Sequence, residues 1–149
     1  MIPQIEPWID ETELKEVTEV IKSTWITEGK KTEEFEGMMK QLTGAKHVIA
    51  YANGTLALYA SLIAAGIKPG DEVLVPDLTF IASANSAIMA GAKPVFVDVD
   101  RKTFCIDAEM AEDKITGKTK AIMPVHLYGQ SADMDKVMPF AKRHGLKVI

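Results

Sequence analysis

An alternation that sets in at residue 47 and runs to residue 149 most constrains how this chain can fold. Short Val- and Ile-rich runs and Ala- and Leu-rich helix-patterned runs take turns, separated by Gly, Pro and Asp clusters. The pattern predicts strands at 47–51, 72–75, 95–99 and 120–125, and another from Leu146 onward. It predicts helices at 53–65, from the 76–80 loop to about Ala90, in a short stretch capped by Asp107, and at 133–143, where Gly145 ends the run. The strand runs show little polar alternation, as expected when both faces are covered. This order implies an α/β fold: three layers, α/β/α, with a mostly parallel sheet and right-handed crossovers.

The first 46 residues read differently. Residues 1–8 are an extended lead-in with two prolines. Asp10 can cap a helix with Glu11 and Glu13 in its first turn and Leu14, Val17 and Ile21 as its apolar stripe. Ser23-Thr24-Trp25-Ile26-Thr27-Glu28-Gly29 breaks that helix. Large apolar groups in a polar loop need a contact to make. Trp25 and Ile26 either pin the loop to a core or form a binding or subunit-contact surface. Thr32 caps the next helix, with Phe35, Met38 or Met39, and Leu42 as a buried stripe and Gly44 as its end. The chain stops inside a strand-patterned run, which reads as the first portion of a longer protein or a truncated form.

Bulk properties exclude several classes. Hydrophobic residues make up 47% and charged residues 26%, with a net charge of −4, so nucleic-acid binding gains no support. No run is long enough to span a bilayer, and the start lacks the basic and apolar regions of a secretory signal. The single cysteine, Cys105, cannot form an internal disulfide, and its apolar setting suits a buried thiol. A reduced, cytoplasmic compartment is expected. His47, His126 and His144 are scattered and have no cysteine nearby, so no metal site is expected. Neither dinucleotide nor phosphate-loop glycine motifs occur, and there is no G-x-S-x-G elbow.

Ligands of an open α/β sheet bind beyond the carboxyl ends of its strands. Four loops fall there: 52–55, 76–80, 98–103 and 126–129. The turn Ala52-Asn53-Gly54-Thr55 opens a helix, where free amides and the helix dipole favour an anion. It also reads as a plain capped helix start. Phe80 is either a core residue or a ring that stacks on a flat ligand. His126 and Tyr128 either hold the loop or meet a substrate.

Taken together, these stretches resemble the DegT/DnrJ/EryC1/StrS family of sugar aminotransferases, which are fold-type I pyridoxal-phosphate enzymes. The resemblance rests on residues 23–29, 52–58, 70–85, 94–100 and 119–129, in the family's order, and within the family it is nearest to perosamine synthases. It implies that residues 1–149 are the N-terminal portion of the cofactor-binding major domain, with a lead-in helix and loop over 1–30 and the alternating core over 31–149. It implies pyridoxal 5′-phosphate as cofactor, its phosphate on Gly54 and Thr55, and its ring against Phe80 with Thr79 beside it. Trp25 and Thr27 match the loop that approaches the sugar and the subunit boundary, and His126 and Tyr128 are weaker matches near the substrate. The implied reaction moves an amino group from glutamate to a nucleotide-linked 4-keto-6-deoxy sugar, in a homodimer, for polysaccharide biosynthesis. A dehydratase of the same fold, or a regulatory member without catalysis, stays open. The family's covalent lysine and the acid that pairs with the pyridine nitrogen would fall beyond Ile149. This stretch therefore holds no catalytic residue and is expected to be inert alone, with an unpaired sheet edge and exposed apolar faces.

Overall fold

A computed structural model describes residues 6–149. The lead-in expected over 1–8 lies largely outside the described residues. The chain divides into two compact units, one ending at Ala50 and one spanning Tyr51–Ile149.

The first unit holds α1 (Glu11–Ser23) and α2 (Lys30–Thr43). The start of α1 is fixed by a reciprocal capping box. Asp10 accepts from Thr12 N–H at 2.7 Å and Glu13 accepts from Asp10 N–H at 2.8 Å. α2 starts earlier than expected: Gly29 is its N-cap, and Thr32 lies in its first turn. Gly44, in the left-handed region, closes it. Lys31 of α2 pairs with Glu16 and Glu19 of α1 and with Glu34. The expected buried stripe on α2 is not buried: Phe35, Met38 and Leu42 are 49%, 61% and 80% exposed. Leu14, Val17 and Ile21 on α1 are also exposed. Periodicity marks which face of a helix is apolar; it does not supply the surface that covers it.

The second unit is built on a four-stranded, all-parallel sheet in the order β2-β1-β3-β4. Its strands are β1 (Glu72–Pro76), β2 (Lys93–Val97), β3 (Thr119–Ile122) and β4 (Lys147–Val148). Three helices accompany them: α3 (Gly54–Ala64), α4 (Ala82–Met89) and α5 (Met134–His144). Alternate residues of the central strands face opposite layers, because successive side chains of a strand point to opposite sides. Val73, Val75 and Ala121 pack with Leu62 of α3 and Ala87 of α4. Leu74 and Ile122 pack with Val137, Phe140 and Ala141 of α5 on the other face. The three-layer α/β/α arrangement expected from the alternation is therefore present. β1 is buried along its whole length, as expected of a central parallel strand.

Four elements depart from expectation, among them β3, which stops at Ile122, three residues short of the expected 120–125. Residues 47–51 form no strand; their backbone joins no ladder, and Ala50 N–H donates instead to the Glu36 carboxylate at 2.8 Å. An apolar extended run becomes a strand only where a neighbouring backbone is in register. β2 begins two residues early and takes in Pro94, which is tolerated because β2 is an edge strand. The helix expected after Asp107 is a series of turns ending in one 3₁₀ turn, Glu112–Lys114, with the Asp107 carboxylate accepting from Glu109 N–H at 2.8 Å. Cys105 is buried, as expected.

Candidate functional site

The direction of the helices assembles one end of the sheet. α3 feeds, through the turn 65–71, into the start of β1. It therefore runs against the strand and carries its own first turn to the strand's carboxyl end. α4 leaves that same end through 77–81 and packs on α3. The loop holding His126 and Tyr128 follows β3 at this end too. Gly54, Thr55, Thr79, Phe80, His126 and Tyr128 thus belong to the carboxyl side of one parallel sheet, where ligands of such folds bind.

Asn53 caps α3: its side-chain oxygen accepts from Leu56 N–H at 3.0 Å, and its carbonyl accepts from Ala57 N–H at 3.1 Å. The amides of Gly54 and Thr55 have no acceptor among the described residues. Gly54 is not in the left-handed region, and a Cβ built on it meets no atom within 4 Å. Neither backbone conformation nor internal packing asks for glycine here, and glycine at a helix start forgoes helix propensity. The first-turn amides of Gly54 and Thr55 are open to close approach by a group outside this stretch.

Phe80 is 75% exposed, which excludes the core reading of this residue. Its neighbours Ile81 and Ile88 are exposed as well, at 65% and 59%. The turn beneath it is nonetheless well held. Thr79 and Ser83 share a hydroxyl–hydroxyl hydrogen bond of 2.9 Å, and Ser83 N–H donates to the Phe80 carbonyl at 3.1 Å. Ser83 is buried and Thr79 half-buried, so the backbone is fixed from inside while the ring stays outside. Ser83 has a supporting role that the sequence reading passed over; the four-residue spacing from Thr79 at a helix start was the signal for it.

His126 and Tyr128 are held differently. His126 Nδ1 accepts from the amide of the buried Ala132 at 3.0 Å. Tyr128 is 77% exposed and sits in the left-handed region at φ 53°, inside a single 3₁₀ turn, Leu127–Gly129. A non-glycine residue there stores about 1–3 kcal/mol of backbone strain. The loop is tied down nearby by Cys105, whose Sγ lies 3.5 Å from the Gln130 carbonyl.

Trp25 and Thr27 belong to the first unit. Trp25 is 65% and Ile26 75% exposed, so neither pins its loop to a core. The indole N–H of Trp25 donates to the Glu28 carbonyl at 2.6 Å, and the Trp25 amide donates to Ser23 Oγ at 3.2 Å. The loop borders a groove of about 620 Å³ whose lining includes Val20, Trp25 and Thr27 together with the charged Glu19, Lys30 and Glu33, within the size range of small-molecule sites. Among the described residues no group of three or more His, Cys, Asp or Glu side chains is placed to hold a metal ion.

The model of the DegT/DnrJ/EryC1/StrS aminotransferase family matches residues 7–149. GDP-perosamine synthase of Caulobacter vibrioides is 53% identical over 144 residues, covering 96% of this chain and 39% of that protein. The spore coat polysaccharide biosynthesis protein SpsC of Bacillus subtilis is 45% identical over 148 residues, covering 99% of this chain and 38% of that protein. Among solved structures, ntda of Bacillus subtilis with bound cofactor PMP superposes with a TM-score of 0.87 at 40% identity, over 93% of this chain and 32% of that one. The chain thus spans well under half the length of these relatives. With a match over nearly its whole length and relatives this similar, the chain belongs to the DegT/DnrJ/EryC1/StrS aminotransferase family.

Proposed function

We propose that the full-length gene product is a pyridoxal-phosphate-dependent sugar aminotransferase that moves an amino group from glutamate to the 4-keto carbon of a nucleotide-linked 6-deoxy sugar, for polysaccharide biosynthesis. One observation carries the reading. The first turn of α3 offers amides with no acceptor, at a glycine whose Cβ position is open, among the described residues, and an exposed Phe80 stands at the start of the neighbouring helix. An anion cup beside an aromatic wall suits a phosphorylated flat ring, and the names of the relatives supply the sugar and the cofactor.

When bound, pyridoxal phosphate supplies the electron sink that lets a carbon next to an amine lose its proton. The residues of this chain bind and orient. The Gly54 and Thr55 amides and the Thr55 hydroxyl hold the phosphate, and the α3 dipole adds to the attraction. The Phe80 ring covers one face of the pyridine ring, and Thr79 steadies that ring's backbone through Ser83. Trp25 and Thr27 line the sugar site. Tyr128 is assigned to the substrate as well, and His126 holds the Tyr128 loop. No residue of this stretch is assigned the role of the covalent lysine or of the acid that pairs with the pyridine nitrogen. A nucleophilic lysine needs its amine pushed down in pKa. Lys31 and Lys136 are instead held above the ordinary ammonium range, chiefly by the hydrogen bonds they donate to the Glu16 and Glu109 carboxylates. The full-length protein acts as a cytoplasmic homodimer.

The test is an assay of the full-length gene product with glutamate and a panel of nucleotide-linked 4-keto-6-deoxy sugars. Mass spectrometry should find an amino sugar and one equivalent of 2-oxoglutarate. A dehydrated keto sugar without amino transfer, or no turnover of any panel member, would contradict the reading.

A further inference from the structure

Gly29 is a second glycine whose identity needs a reason. Its φ is −174°, extended backbone that any residue adopts, so conformation does not require it. It is the N-cap of α2, where Ser, Thr, Asp or Asn serves as well or better, and it makes no side-chain cap bond. Space does require it. A Cβ at Gly29 would lie 2.8 Å from Trp25 Cδ1 and 2.9 Å from Trp25 Nε1. The indole is not a loose tip that can swing away at no loss, because its N–H is committed to the Glu28 carbonyl at 2.6 Å. Ring and backbone hold each other: Glu28 takes the donor, and Gly29 leaves room for the edge that carries it.

This has a consequence for what Trp25 offers a ligand. With its only polar atom bound internally, the ring presents apolar surface to the groove while remaining 65% exposed. Such a surface suits the C–H face of a pyranose ring and offers nothing to a hydroxyl.

We propose that Gly29 is a positioning residue that sets the pose in which the Trp25 ring meets the sugar of the substrate. The proposal rests on the reading above that Trp25 lines the sugar site. In the full-length protein, Gly29→Ala should displace the indole and raise KM for the nucleotide sugar about threefold to tenfold, the scale of one aromatic contact. KM for glutamate should not follow, and kcat should change less than the sugar KM. Gly29→Ser carries the same Cβ but restores a good cap, so it should reproduce the sugar effect if space is the cause. In a Trp25→Ala background, Gly29→Ala should have no further effect on the sugar KM.

Indole emission, read as the difference between each protein and its Trp25→Ala counterpart so that the share of Trp25 is isolated, gives a signal independent of activity. A shift in emission and in sugar KM for both Gly29 variants, lost in the Trp25→Ala background for KM, supports the proposal. Unchanged emission overturns the lock between Gly29 and Trp25. Shifted emission with an unmoved sugar KM keeps the lock but overturns the sugar contact, and with it the placement of Trp25 in the site. A KM effect from Gly29→Ala that Gly29→Ser rescues assigns the glycine to helix capping and also overturns the proposal.

Discussion

Thr116 donates its hydroxyl to the carboxylate of Glu72 at 2.5 Å, joining residues 44 positions apart at the amino end of the sheet. Glu72 is only 7% exposed, yet it opens the buried central strand, and Lys93 on the adjacent strand approaches it at 3.4 Å. The Thr116 hydrogen bond, and after it the Lys93 ammonium, hold the Glu72 carboxyl below the ordinary glutamate range. This pair anchors the end of the sheet opposite to the candidate site.

A depressed carboxyl stabilises the folded state at pH values above its ordinary value, and that contribution is lost as pH falls through the folded value. The urea midpoint should therefore drop as pH falls below about 4.5, the ordinary glutamate value. Glu72→Gln should lower stability near neutral pH by about 1–3 kcal/mol, since it weakens a buried hydrogen bond to a charged group. It should also flatten the acid limb of the stability curve. Urea titrations of both proteins across that range test this, and parallel acid limbs would contradict it.

Phe80 makes the opposite kind of prediction. Because its ring is 75% exposed, Phe80→Ala should leave stability within about 0.5 kcal/mol. Cofactor affinity in the full-length protein should fall about twofold to tenfold, the value of one stacking contact, and Phe80→Tyr should retain it. Absorbance titration with pyridoxal phosphate measures this. Unchanged affinity in Phe80→Ala would remove the ring from the site.

His126 should separate support from contact. Removing its Nδ1 leaves the buried Ala132 amide without an acceptor, so His126→Ala should cost about 1–3 kcal/mol and loosen the Tyr128 loop. His126→Asn offers an oxygen near the same place and should recover most of that loss. Hydrogen exchange at the Ala132 amide reports the bond directly. Equal protection in His126→Ala and the parent would show that the loop is held by other means.

The layers of the second unit were legible because Val73, Leu74 and Val75 are apolar on both faces, which only a covered parallel strand tolerates. The helix start at Asn53-Gly54-Thr55 was legible because helix starts have a local signature. What failed depended on partners. Residues 47–51 have strand composition but no neighbouring ladder, and the stripes Leu14-Val17-Ile21 and Phe35-Met38-Leu42 have apolar spacing but no cover. Thr32 looked like a cap because its side chain suits one. Gly29 takes that place, and its position must also clear the indole of Trp25, four residues away in sequence. A steric demand of that kind leaves no mark in propensity.

Gly54→Ala tests the central claim most directly. An added Cβ meets no atom of the chain within 4 Å and alanine is the better helix former, so thermal stability should hold or rise by up to about 1 kcal/mol. The same methyl group would stand at the amides that receive the phosphate. The affinity of the full-length protein for pyridoxal phosphate, read by absorbance titration beside a melting curve, should fall at least about tenfold, on the order of 1.4 kcal/mol. An unchanged Tm with weakened cofactor binding is the predicted result. Cofactor binding as tight as in the parent, with the methyl group in place, would show that the turn at Gly54 and Thr55 is a helix cap and nothing more.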